Sequence, residues 1–216
     1  TAVGQNALQA NTTGFDNTAS GVNALFFNTI GDGNTADGMY SLYSNTEGYD
    51  NTANGLQSLY LNTTGYSNTA NGAFSLYFNS TGFENAANGT QSLYSNTTGT
   101  QNTANGAFSL YSNRTGSGNS VLGYQAGYGV ANTPVSSSTI IGYRAGFALA
   151  TSTANILLGY QAGDNLTTGG NNIILGYDID APSATASNQL SIGNLIFGTG
   201  INGTGTTIST GNIGIG

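Results

Sequence analysis

The chain has no cysteine, no histidine and no tryptophan, and only two prolines. Lysine is missing too, so its whole cationic complement is Arg114 and Arg144. Charged residues make up 5% of the 216, against roughly 25% in an average soluble domain. Each absence removes a class of function. Without cysteine there are no disulfide staples and no thiolate metal sites. Without histidine as well, Ser-His-Asp and Cys-His constellations are excluded, along with most transition-metal sites. A net charge of −7 with no basic stripe leaves nothing to displace phosphate counterions, which excludes nucleic acid as a partner. It also argues against an anionic membrane surface. No apolar run reaches the ~18 residues that would span a bilayer, so no membrane insertion is expected in this segment.

The acids are Asp16, Asp32, Asp37, Glu47, Asp50, Glu84, Asp164, Asp178 and Asp180; glycosidase-like pairs are formally possible among them, but they scatter along the chain with no sign of a cleft. Asp178 and Asp180 are close enough to share Ca²⁺, yet the Gly-Gly-x-Gly-x-Asp repeat of calcium-binding rolls is missing. The expectation is a chain that is not an enzyme, with no catalytic residues, no metal and no cofactor. It begins at Thr1 without a signal-peptide pattern and is expected to be a processed or partial chain.

What the chain does have is 34 glycines, 13 tyrosines and 9 phenylalanines in strict order. Asn17-Thr18-Ala19-Ser20-Gly21 aligns with Asn34-Thr35-Ala36-Asp37-Gly38, and the register continues through Asn51, Asn68, Asn85, Asn102 and Asn119 in steps of seventeen. The unit is close to N-T-A-x-G-x-x-S-L-Y-x-N-T-T-G-x-x. One glycine column runs Gly21, Gly38, Gly55, Gly72, Gly89 and Gly106, and a second closes the Asn-Thr-Thr-Gly turn. Asn-Gly dipeptides suit tight turns, and so many glycines rule out a helical period. Two apolar segments lie between the turns, such as Ala73 to Phe78 and Phe83 to Ala87, and each has strand length. The fold expected is all-β: a parallel β-solenoid, or β-roll, of seventeen-residue coils with two short strands per coil.

Stacking coils at about 4.7–4.9 Å turns columns into ladders. Leu8, Leu25, Leu42, Leu59, Leu76, Leu93 and Leu110 form a structural leucine ladder. Phe26, Tyr43, Tyr60, Tyr77, Tyr94 and Tyr111 form an aromatic one, an inter-subunit seam or a ligand surface. Asn11, Asn28, Asn45, Asn62, Asn79, Asn96 and Asn113 line a turn, where amides can bond from coil to coil. About twelve coils would make a rod some 55–60 Å long. Residues 1–118 hold the regular repeats. Residues 119–197 keep the glycine register with variant coils such as Ile140-Ile141-Gly142-Tyr143-Arg144-Ala145-Gly146, after a two-residue insertion between Val130 and Ser138. Residues 198–216 form a Gly/Thr-rich hairpin or neck, or the continuation into a longer fibre.

One leucine and one alanine per coil bury little, and segments such as Leu56 to Leu61 are apolar at both parities. A strand apolar on both faces is normally covered on both. Packing as a homotrimer would supply the second cover, and ends without polar caps suggest a longer fibre by end-to-end stacking.

Runs such as Asn68-Thr69-Ala70-Asn71-Gly72-Ala73-Phe74-Ser75-Leu76 and Gly123-Tyr124-Gln125-Ala126-Gly127 resemble the head repeats of trimeric autotransporter adhesins and related repeats of phage tail fibres. The ending, from Leu190-Ser191-Ile192-Gly193-Asn194 to Gly211-Asn212-Ile213-Gly214-Ile215-Gly216, resembles the lead-in to a tail-spike chaperone. The resemblance implies a trimeric left-handed parallel β-roll, extracellular, cell-surface or on a virion, that attaches to a host or environmental surface, glycan or protein. The alternative is an ice- or glycan-binding solenoid. It would use the tyrosines or the threonine columns Thr12, Thr29, Thr46, Thr63, Thr97 and Thr18, Thr35, Thr52, Thr69, Thr103, expected to flank turns and broken by Ser80, Arg114 and Ala86. Eight Asn-x-Ser/Thr sequons, Asn11, Asn62, Asn79, Asn88, Asn96, Asn113, Asn165 and Asn202, are possible glycosylation sites if their columns are exposed.

Overall fold

The computed structural model describes residues 1–130, 134–193, 195–200 and 211–215. Among them the chain is all-β and winds as a parallel β-solenoid of about 11 turns. A 14-stranded sheet runs along the rod, parallel until the strand Gln189–Ile192. Its register is that of the repeat: Ala53 lies opposite Ala70, and Ala70 opposite Ala87. At the insertion the sheet skips cleanly, pairing Ser120 with Thr139 and then Thr139 with Ile156. The extra residues carry Val135–Ser136, which pairs with Ser152–Thr153 in a separate two-stranded sheet. After Gln189–Ile192 the chain reverses, and Ile196–Thr199 and Asn212–Ile215 complete the sheet antiparallel.

The expectation of two strands per coil needs correction. Each regular coil contributes one strand of three residues, such as Thr69–Asn71. Ala73 to Phe78 is a succession of turns, and of Phe83 to Ala87 only the end enters the strand Ala86–Asn88. The cause is the backbone: Phe74 and Leu76 have φ of 59° and 50°, outside the β region. Ser75 N donates to Gly72 O at 3.3 Å and Asn79 N to Leu76 O at 3.1 Å, closing two turns. Between them the Leu76 and Phe78 amides reach forward to the Ser92 and Tyr94 carbonyls at 3.0 and 3.1 Å. The segment therefore bonds coil to coil through corners. The rule that a two-faced strand needs two covers does not apply to it.

Corners occur at fixed columns. In one coil they are Gly72 (φ 140°), Phe74, Leu76 and Glu84 (φ 55°). Left-handed backbone costs an ordinary residue roughly 1–2 kcal/mol, and a β-branched one more. Accordingly, none of the non-glycine residues in these columns is Val, Ile or Thr.

The core is a narrow seam with two constructions. From Ala19 to Ala104 the middle residue of each strand is alanine, and the space is filled by the leucine ladder from the opposite wall, Leu25 to Leu110, fully buried. Later coils invert this. Val121, Ile140, Leu157 and Ile174 fill the seam from the strand, and the leucine column becomes Gly127, Gly146 and Gly163. The reason is volume: a Cβ on Gly146 would lie 2.7 Å from Leu157 Cδ1, and one on Gly163 2.9 Å from Leu157 Cδ2. Both keep positive φ, 59° and 62°. Thus the corner survives while its side chain moves across the core.

Candidate functional site

Two asparagine ladders lie inside the coil. In the turn column, Asn45 Nδ2 donates to Asn28 Oδ1 at 2.7 Å and to Gly48 O at 2.9 Å. In the column before the strand, Asn34 Nδ2 donates to the same Gly48 O at 2.8 Å, while its Oδ1 accepts Asn51 N and Asn51 Nδ2, both at 3.1 Å. Every turn glycine from Gly31 to Gly99 is held this way by two amides. These glycines are there for room, since a Cβ on Gly65 would collide with Asn62 Oδ1 and Gly82 O.

This geometry corrects the sequon reading. Asn62, Asn79, Asn96 and Asn113 are buried, not exposed on a turn. Asn11, Asn88 and Asn165 are half-buried, with Nδ2 bonded to Gly14 O, Asn105 Oδ1 and Ala181 O. A glycan on Asn62, Asn79, Asn96 or Asn113 has no room inside the coil, whereas Asn11, Asn88 and Asn165 stay partly exposed. Asn202 lies outside the described residues.

The aromatic column is longer than its six expected members. Phe26, Tyr43, Tyr60, Tyr77, Tyr94 and Tyr111 stack on one another, then on Tyr128 and Phe147, with centroids 5.0–5.4 Å apart. Arg144 closes the stack with its guanidinium carbon 4.0 Å from the Phe147 centroid, a cation–π contact. Tyr60 has Tyr43 on one face and Tyr77 on the other, each at 5.1 Å. Sugars dock on ring faces, and here the faces are taken.

Burial, and then the neighbouring phenols, push the Tyr60, Tyr94 and Tyr111 hydroxyls above their ordinary value. In the unfolded chain these groups ionise near ~10. The stability tied to them is therefore whole below that pH and is lost as pH rises through the higher folded range. Melting temperature should fall from about pH 10 upward, with phenolate absorbance completing its rise as the rod unfolds. A flat melting temperature up to about pH 11.5 would contradict this.

The sheet's outward face is the most regular surface. Its first column, Thr18, Thr35, Thr52, Thr69 and Thr103, stands on the strands themselves, exposed or half-buried, not beside turns as expected. The other threonine column is internal stapling: Thr29 and Thr63 Oγ1 donate to the Thr46 and Ser80 carbonyls at 2.9 and 3.0 Å. Beside the strand threonines runs Asn54, Asn71, Asn88 and Asn105, linked Nδ2 to Oδ1 at 2.6–2.8 Å. From Leu122 onward that asparagine column becomes Leu122, Ile141, Leu158, Leu175 and Ile192. A second stack, Tyr124, Tyr143, Tyr160 and Tyr177, borders it with centroids 4.8–5.6 Å apart.

Asp164, Asp178 and Asp180 gather near one corner. Burial, then Asp164 and Asp178, raises the Asp180 carboxyl, and Gln161 Nε2 donates to Asp164 Oδ2 at 3.0 Å. Among the described residues no three acids are arranged to hold a metal ion. An open cleft of about 320 Å³ is lined by Phe78, Ser95, Thr97 and Arg114. It brings together no acid–base pair.

No protein-family model matches the chain. Neither does any curated protein sequence. No solved structure matches its fold.

Proposed function

We propose that this chain is a rigid segment of an extracellular homotrimeric fibre that mediates surface attachment. The observation that carries this reading is the ladder order of the regular coils. There strand, leucine, asparagine and aromatic columns all repeat at one seventeen-residue step, and their interactions are spent on joining coil to coil. Such a body sets a distance. Mass measurement in solution with electron microscopy tests it: the expected particle is a thin rod of three chains, with this segment about 50 Å long. A compact monomeric particle would sink the proposal.

A second reading is favoured by one observation, the threonine and asparagine columns side by side on the outward strand face. An array of hydroxyls and amides at strand spacing suits an equally periodic ligand, such as ice or an ordered glycan. Thermal hysteresis, or co-sedimentation with crystalline polysaccharide, lost in a Thr52→Val/Thr69→Val variant would establish it.

A further inference from the structure

We propose that copies of this chain meet along the outward sheet face of the variant coils, through the aliphatic ladder and the tyrosine stack beside it. The proposal rests on the self-association in the fibre reading and places its seam. It moves that seam away from the Phe26–Phe147 column, whose rings already cover one another.

Leu122, Ile141 and Leu158 are 53%, 36% and 46% exposed, and Tyr177, at the end of its stack, is 73% exposed. Ile156, at the first strand position, adds to the same face. In the regular coils the two strand columns of this face hold mainly threonine and asparagine, whereas the tyrosine column continues back as Ala107, Thr90, Ala73, Leu56, Met39 and Val22, so it is the continuous aliphatic strand ladder that is confined to one stretch of rod. Together the ladder and the stack expose on the order of 600–800 Å² of apolar surface. That exceeds the ~300–600 Å² of the largest patch on a typical monomer and approaches the ~800 Å² each partner gives a standard interface.

A second copy fits this face better than an unrelated partner. The side chains recur once per coil at strand spacing over five successive strands, and an identical rod has that pitch built in. The ladder and the stack carry no charge, so their own side chains bring no like charges face to face across the seam.

The test borrows the chain's own polar solution. Leu122→Asn/Ile141→Asn/Leu158→Asn installs the residue that stands in this column at Asn54, Asn71, Asn88 and Asn105. The wild type is expected to be oligomeric and the variant monomeric by light scattering, with an unchanged circular-dichroism spectrum. A Tyr43→Ser/Tyr60→Ser/Tyr77→Ser variant should remain oligomeric. Dissociation of the tyrosine variant alone would overturn the seam and leave the fibre standing. A monomeric wild-type rod would overturn the seam and the trimer together. If the asparagine variant misfolds, the absence of native cysteine gives a second route. Under mild oxidation Leu158→Cys should form disulfide-linked pairs, whereas Thr81→Cys, exposed on a turn, should not. No linkage at 158 in an oligomeric sample would reject the proposal.

Discussion

Replacing Asn68 with aspartate should destabilise the rod by about 4 kcal/mol at pH 7, and less in acid. Asn68 Nδ2 donates to Asn51 Oδ1 at 3.1 Å and to Gly82 O at 2.9 Å, and its Oδ1 accepts Asn85 N and Asn85 Nδ2, both at 3.1 Å. Aspartate fits the same space but turns two donor contacts into oxygen facing oxygen. The nearby partners are amides and carbonyls, so a buried charge has no cation to pair with. The side chain would hold its proton. Carrying it from an unfolded pKa near ~3.9 up to neutrality costs about 1.36 kcal/mol per pH unit. The folded pKa is raised, so the penalty is absent below about pH 4 and grows as pH rises. Urea midpoints at pH 4 and pH 7 check this: the gap between variant and wild type should widen with pH. An equal gap at both would mean lost hydrogen bonds alone explain the damage. Asn68→Ala supplies that comparison, at roughly 2–4 kcal/mol independent of pH.

The core inversion yields the second large effect, and it is one of coupling. Leu110→Gly empties the seam and should cost roughly 2–5 kcal/mol, somewhat offset by relief of a residue held at φ 48°. Ala104→Ile overfills a fully buried site and should cost roughly 1–3 kcal/mol. Made together, they reproduce the strand and corner of the Ile140/Gly146 coil, while Asn113 stays where that coil has the buried Leu149. The double variant should be more stable than the two losses predict by about 1–3 kcal/mol. A denaturant-unfolding double-mutant cycle measures this directly. Simple additivity would show that the two walls do not share one volume.

The solenoid and its register could be read from spacing because each coil repeats its neighbour, so one column pattern specifies pairing across the whole sheet. The strand's place within the coil could not. Ala73 to Phe78 has the composition of a strand, yet alternate residues there are corners, and hydrophobicity does not record the sign of φ. A subtler trace was present in the sequence: the columns of Phe74, Leu76 and Glu84 contain no β-branched residue in a chain full of threonine. The coil-to-coil amide bonding of the turn asparagines was legible from their spacing, but their burial was not. An amide in an Asn-Thr-Thr-Gly turn resembles a surface residue, and only the coil's closure shows that Asn45 points inward to hold Gly48 O. The alanine-to-isoleucine inversion was visible as a change of motif. Its meaning required knowing which side chains share a cavity.

The direction of the inter-coil bonds has a mechanical consequence. The chain winds across the rod while its hydrogen bonds, such as Leu76 N to Ser92 O, run along it. Tension applied end to end therefore loads each junction in series, and a terminal coil can peel away while the rest stays folded. Each coil released exchanges about 4.8 Å of rod for some 55–60 Å of extended chain. Under steady load the body acts as a stiff spacer. Beyond the strength of one junction it lengthens in seventeen-residue increments and absorbs work with each coil released.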